Sequence, residues 1–239
     1  ASDVYKRQMR KRQFRRKAMR KAELGIDIGN GSISIVVVEG ENIIYKDYSL
    51  HRGELYQNLV DMLGQVETSC GDRILYAAVN PGAVCLYPGI QKKVQINRIS
   101  SLLEGQRMLY PDAGSIVEMG AQNSCFLTGI RERETLSYAM NGECAAGTGA
   151  FFEDQMYRLG LPLSAYSEYV RRAKSVPRLA GRCSVFAKTD LIHRQQEGVP
   201  VEDILLGLSY AVIRNFKSAV VRKLPVQPPV LVTGGVVYN

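Results

Sequence analysis

An α/β fold in which one strand-rich pattern occurs twice is predicted from three observations. First, two hairpins share a layout: an apolar strand carrying a single acid, a glycine turn, and a second apolar strand. Residues 24–28 with Asp27 lead into Gly29-Asn30-Gly31-Ser32, and residues 114–120 with Glu118 and Gly120 lead into Ala121-Gln122-Asn123. Second, a third strand and then helical periodicity follow each hairpin. Third, 239 residues at 46% hydrophobic content suit one large or two small cores. No short-period repeat is visible, so the duplication is one of architecture.

In the first hairpin the glycines let backbone N–H groups face outward, and Ser32 adds a hydroxyl, which together make a phosphate cradle. Asp27 is placed to face a magnesium ion through water, because Mg²⁺ sheds its waters reluctantly. An ordinary Asn-Gly hairpin turn explains the same residues without a ligand. A strand over 42–50, a helix over 54–66, a strand over 73–79 and a helix over 100–109 follow. Three strands, a helix, a strand and a helix is the order of a ribonuclease-H-like half. Pro81, Gly82, Pro88 and Gly89 break the intervening stretch into loops.

The second hairpin pairs 114–120 with 124–130, and a further strand covers 135–140. Two facing copies of this device would grip a triphosphate between them. The stretch 141–160, NGECAAGTGAFFEDQMYRLG, then runs from Cys144 through Gly147-Thr148-Gly149 into an amphipathic helix. A soft-metal ligand thus precedes a helix N-terminus whose free N–H groups suit a phosphate. A buried free cysteine before a capped helix is the plain alternative. Phe151, Phe152 and Tyr157 sit at helical spacing and read as core. Helices follow over 162–173 and 185–196, and Pro200 opens a long one to about 221, with Glu202 and Asp203 at its positive end. The last strand, 230–233, ends in Gly234-Gly235, which lets backbone lie flat against an adenosine. A covering helix is expected after such a strand, so the second subdomain reads as incomplete at its C-terminus.

The net charge of +8 is local: residues 1–22 hold ten Lys/Arg against Asp3, leaving 21 basic and 22 acidic residues over 23–239. Residues 1–22 read as a basic disordered tail or non-native leader, 23–112 as a first subdomain and 113–239 as a second. The tail leaves nucleic-acid binding as a minor possibility confined to it. No run of about 18 uninterrupted apolar residues occurs, so no membrane span is expected. Five widely spaced cysteines, Cys70, Cys85, Cys125, Cys144 and Cys183, form no CxxC pair and fit a reducing cytoplasm. Cys125 in a strand and Cys85 in an apolar loop read as core, while Cys70 falls in a turn with no role. His193 reads as a solvent-facing helical residue.

The motifs GIDIGNGS, IVEMGAQN, NGECAAGTG, GRCSVFAKTDLIHRQQEGVPVEDILLGL and TGGVVYN, in that order, resemble the ATP-dependent activators of 2-hydroxyacyl-CoA dehydratases and benzoyl-CoA reductases, within the actin-like, Hsp70-like and sugar-kinase-like ATPases. The resemblance spans residues 24–239 and is strongest to larger members in which the activase is one domain of a longer polypeptide. It implies a homodimer that holds one 4Fe-4S cluster between subunits, binds ATP with Mg²⁺, and passes one low-potential electron from ferredoxin or flavodoxin to an acyl-CoA dehydratase or reductase component. The ligand cysteines of that family correspond to Cys144 and Cys183. A cluster needs about four thiolates, and a two-fold dimer doubles two into four. The resemblance also gives Asp27, Glu118 and Gln122 as catalytic candidates. Nucleotide contacts fall to Gly29, Asn30, Gly31, Ser32, Gly120, Gly147, Thr148, Gly149, Gly234 and Gly235.

If Gly147-Thr148-Gly149 senses the γ-phosphate while Cys144 ligates the cluster, nucleotide state reaches the cluster through one helix. Two departures weigh on turnover more than on binding. A family lysine after the first glycine run is absent, since Ile35 follows Ser34, and a family Gly-Gly-Gln-Asp is Gly120-Ala121-Gln122-Asn123 here. Two rival functions remain at this point: a small-molecule kinase on the same fold, and a degenerate, non-catalytic nucleotide-binding scaffold.

Overall fold

The structure, a computed structural model, describes residues 22–80, 92–131, 136–142, 148–179 and 184–238. The chain divides after Met108 into two compact units. In the first, β1 (Ala22–Ile28) buries Ala22, Leu24 and Ile26, and β2 (Ser32–Glu39) buries Ile33, Ile35 and Val37. This period-two alternation buries one face of each strand. The two pair antiparallel from Ala22–Glu39 to Ile28–Ile33, and β3 (Asn42–Leu50) pairs with β2. Helix α1 (Leu55–Cys70) lays Met62, Val66 and Cys70 on that apolar face at helical spacing. Strand β4 (Ile74–Val79) then runs parallel to β1, β5 (Lys92–Gln95) runs parallel to β4, and α2 (Arg98–Leu109) follows. The sheet order is β3-β2-β1-β4-β5.

Three details differ from the sequence expectation. Strand β1 starts at Ala22, because that residue is fully buried. Cys70 is the last residue of α1 and a core residue, not part of a turn, and burial pushes its thiol pKa up. Strand β5 is unexpected, since Lys92-Lys93-Val94-Gln95 carries no apolar alternation.

The second unit repeats the order. β6 (Ser115–Met119), β7 (Ser124–Thr128) and β8 (Ser137–Met140) form an antiparallel meander, and β9 (Val230–Thr233) joins β6 in parallel, giving β8-β7-β6-β9. Between β8 and β9 lie α3 (Gly149–Arg158), α4 (Tyr166–Arg172), α5 (Ser184–Gln196) and α6 (Val201–Phe216), the last extended by a π-helical turn, Lys217–Val221. Met119 and Phe126 of the sheet pack with Phe151, Phe152, Met156 and the apolar face of α6. Phe152 meets Tyr166 edge-on, with centroids 5.0 Å apart. The Tyr166 hydroxyl donates to the Leu205 carbonyl at 2.8 Å and lies 2.8 Å from Ser209 Oγ, and burial pushes its pKa up. Tyr157, expected in the core, is 84% exposed, because the neighbouring Met156 takes the inward position. His193 is exposed as expected.

The 21 residues Val201–Val221 are long and apolar enough, by length and composition, to cross a bilayer. Polar residues interrupt the segment, so a search for an unbroken apolar run passes over it. Ile204, Leu205, Leu208, Ala211, Val212 and Phe216 of this segment are spent on the protein core. Its first turn holds down the segment that follows α4: the Asp203 carboxylate accepts from Lys174 N at 2.6 Å, Ser175 N at 3.1 Å and Ser175 Oγ at 2.7 Å. The Ser175 hydroxyl, followed by the two backbone amides, holds the Asp203 pKa below its ordinary value. Where β9 ends, Gly234 has φ +95°, and a Cβ there would lie 2.3 Å from the Met119 carbonyl oxygen. Both facts exclude a side chain at this position.

Gly234→Ala should therefore destabilise the protein by about 2–4 kcal/mol in denaturant unfolding; a loss within experimental error would show that β9 can shift away from β6. Asp203 has its folded pKa below its unfolded value near ~3.9, so its contribution is complete above that value and disappears as pH falls through the folded one. Asp203→Asn should accordingly lower the unfolding midpoint at neutral pH, and the difference from the parent protein should shrink as pH falls below the ordinary aspartate range, as measured by denaturant melts at neutral and at acid pH.

Candidate functional site

The two hairpins close in the same way. Gly29 N–H donates to the Ser32 carbonyl at 2.8 Å, and Gly120 N–H donates to the Asn123 carbonyl at 2.8 Å. The glycine that opens each turn thus spends its amide inside the turn, contrary to the expectation that it faces outward. In each turn two residues bulge beyond the closed pair, Asn30-Gly31 and Ala121-Gln122, and Asn30 and Gln122 are exposed.

Each turn is also held from outside. His51, just beyond β3, places Nε2 3.2 Å from the Gly29 carbonyl oxygen, donates its backbone N–H to Gly31 O at 3.2 Å and accepts from Gly53 N–H at Nδ1. A ring nitrogen that accepts an N–H carries no proton, so Nε2 is the donor to Gly29. Asn141 does the equivalent work in the second unit. Its Oδ1 accepts from Ser124 N–H at 2.8 Å and its Nδ2 donates to Gln122 O at 2.9 Å. Sequence reasoning assigned neither residue a role: His51 lies outside the quoted motifs, and Asn141 opens NGECAAGTG, whose cysteine and glycines drew the assignment.

The two acids sit in different surroundings. Asp27 is exposed near the end of β1, and Asn80 Nδ2 donates to its Oδ1 at 2.8 Å. Exposed carboxylate oxygen on a rigid strand is a hard donor of the kind Mg²⁺ accepts, directly or through water. Glu118 is half-buried opposite Cys125 in the β6–β7 register, and the fully buried Cys125 thiol donates to Glu118 Oε2 at 3.1 Å. Cys125 is therefore core, as expected, and also a partner of a candidate catalytic carboxylate.

The start of α3 is attached to the second turn. Gly149 N–H donates to Gly120 O at 2.8 Å and Ala150 N–H donates to Ala121 O at 2.7 Å. These first-turn amides were expected to be free for phosphate; they are occupied by the turn instead. The approach needs glycine, since a Cβ at 149 would lie 3.2 Å from Val236 Cγ2 and 3.3 Å from Ala121 Cα. Thr148, at the N-cap, is fully buried. Gly234 and Gly235 follow β9, and Gly235 opens a 3₁₀ turn, Gly235–Tyr238.

Cys144, Gly147, Cys183 and the core candidate Cys85 lie outside the described residues. Among the described residues no group of three or more His, Cys, Asp or Glu side chains gathers to hold a metal.

Residues 81–239 match the BadF/BadG/BcrA/BcrD ATPase family. The chain belongs to that family. The 2-hydroxyisocaproyl-CoA dehydratase activator of Clostridioides difficile is 28% identical over 145 residues, which are 61% of this chain and 54% of that protein. The activator of lactoyl-CoA dehydratase of Anaerotignum propionicum is 26% identical over 219 residues, 90% of this chain and 83% of that one. The solved structure of the Clostridium difficile activator with bound ADPNP superposes with a TM-score of 0.79 at 24% identity, covering 91% of this chain and 81% of that one. The mixed α/β fold is thus shared with that activator, and its two units repeat the three-stranded meander joined in parallel by a further strand, as the sequence predicted.

Gly149→Ala should push α3 off the Gly120–Ala121 turn and cost about 1–2 kcal/mol. Amide exchange at positions 149 and 150, whose N–H groups donate to Gly120 O and Ala121 O, should quicken while exchange in β1 and β2 stays unchanged.

Proposed function

We propose that this family member is an ATP-dependent activator that couples nucleotide hydrolysis to delivery of one low-potential electron to an acyl-CoA dehydratase or reductase component. The observation that carries the reading is the attachment of α3 to the second glycine turn through Gly149 and Ala150. A phosphate engaging Gly120–Asn123 pulls on the same backbone that begins α3, and Cys144 precedes α3 by a few residues. Nucleotide state then acts on the cysteine segment through hydrogen bonds between main-chain groups, which do not yield as side chains do. Family membership supports the ATPase part, and the named relatives act on acyl-CoA dehydratases.

In this reading Gly29, Asn30, Gly31 and Ser32 contact phosphates from the first hairpin, Asp27 orients Mg²⁺ through water, and Glu118 with Gln122 orients the attacking water. Thr148 and Gly147 sense the γ-phosphate, and the Gly234–Gly235 backbone borders the adenosine. Cys144 and Cys183 would hold a 4Fe-4S cluster jointly with the same cysteines of a second copy, in a homodimer. Bound there, the cluster supplies a one-electron carrier whose electron arrives from ferredoxin or flavodoxin. Such thiolate ligation fits a cytoplasmic setting. Asn123 and the absent lysine favour one second reading, a nucleotide-binding scaffold with slow or no turnover.

Iron and acid-labile sulfide should be assayed on anaerobically purified protein beside Cys144→Ala and Cys183→Ala, together with ATPase activity. About two irons per chain, lost in both variants, is the expected result for a cluster shared by two chains. Folded protein without iron would overturn the electron-transfer reading, and iron without ATPase activity would select the scaffold.

A further inference from the structure

We propose that Asn80 is a positioning residue that holds the Asp27 carboxylate in the orientation required by the magnesium ion of a bound nucleotide. The inference rests on the nucleotide-binding reading above and assigns a role that no motif in the sequence announces.

Parallel pairing between β1 and β4 ends at Ile26–Val79, two residues short of the end of β1. Ile28 would lose its ladder partner on that side. The Asn80 side chain takes the partner's place: Oδ1 accepts from Ile28 N–H at 3.0 Å and Nδ2 donates to Ile28 O at 2.8 Å. A carboxamide has the same donor and acceptor pair as a peptide group, so it continues the sheet by one rung. Backbone N–H of Asn80 adds a contact to Ile26 O at 3.3 Å. These bonds fix the amide orientation, because Ile28 N–H can only donate and Ile28 C=O can only accept.

One donor of Nδ2 is then left, and it goes to Asp27 Oδ1 at 2.8 Å. Asp27 is exposed, and a short exposed carboxylate otherwise samples several rotamers. The choice of partner matters chemically. A lysine or arginine at this contact would itself compete with a cation, whereas a neutral amide orients the carboxylate without adding a positive charge beside it. Asn80 is itself anchored to the strand that carries Asp27, so acid and support move as one body.

The test is binding of a non-hydrolysable ATP analogue by calorimetry, across a Mg²⁺ titration and in EDTA, for the parent protein, Asn80→Ala, Asp27→Asn and the double variant, with thermal melts to confirm folding. Asn80→Ala should raise the Mg²⁺ concentration needed for half-maximal tightening by about five- to tenfold, within the net range of one hydrogen bond, and change metal-free affinity by less than about twofold. In the Asp27→Asn background the same substitution should have no further effect on the Mg²⁺ response. Equal loss with and without Mg²⁺, full additivity in the double variant, or an unchanged Mg²⁺ response would each overturn the proposal. If Asn80→Ala does not fold, Asn80→Ser carries the same comparison, since its hydroxyl is too short to reach Asp27. Parent protein that binds no analogue at any Mg²⁺ concentration would instead overturn the nucleotide reading itself, and this inference with it.

Discussion

Close approach of main chain to main chain at the end of β6 is the constraint on which the second unit depends. Within three residues, Met119 O lies against the α-carbon of Gly234, Gly120 O accepts from Gly149, and Ala121 O accepts from Ala150. One strand end thereby fixes the end of β9 and the start of α3. Such contacts exist only where no Cβ intervenes, which makes Gly234 and Gly149 structural requirements before any ligand is considered. The first unit reaches a similar result by other means. There the turn is held by the His51 side chain and the sheet is prolonged by the Asn80 side chain, so its hairpin depends on hydrogen-bonding groups where the second depends on the absence of side chains.

The duplicated architecture therefore yields two hairpins with matching turns and different electrostatics. Asp27 is exposed and accepts from the neutral Asn80 amide, which adds no positive charge of its own. Glu118 is half-buried beside the Cys125 thiol, a weak donor that constrains the carboxylate. A longer side chain than aspartate, tied back by a cysteine on the facing strand, places its oxygens differently from those of Asp27. The proposed function gives the two acids different tasks, and their different surroundings accord with that division.

The fold was legible because it rests on local patterns. Alternation in residues 22–28 and 32–39, the glycine turns, and helical spacing in 149–158 and 201–216 follow from the pleat and the helix period. Misreadings arose where the pattern was weak or tertiary. Strand β5 is four mostly polar residues and exists because β4 offers an open edge. Tyr157 looked like core because an aromatic beside Phe152 and Met156 carries no mark of which way the helix is turned. Residues 201–221 avoided a membrane reading only by the wrong criterion, and it is burial of one face against Phe126, Phe152 and Tyr166 that accounts for their apolarity.

By itself the sequence determined the strand order, the two acid-bearing hairpins, the family and the two cysteines proposed as ligands, because these are encoded by residue types at fixed spacing. Tertiary structure decided which of those residues have groups to offer. It occupied the amides of Gly29, Gly120, Gly149 and Ala150 with main-chain partners, placed the Cys125 thiol on Glu118, and brought Asn80 to Asp27 across 53 residues of chain. Hydrogen bonds between residues so far apart depend on where the sheet sets each strand, and no local spacing in the sequence records that distance.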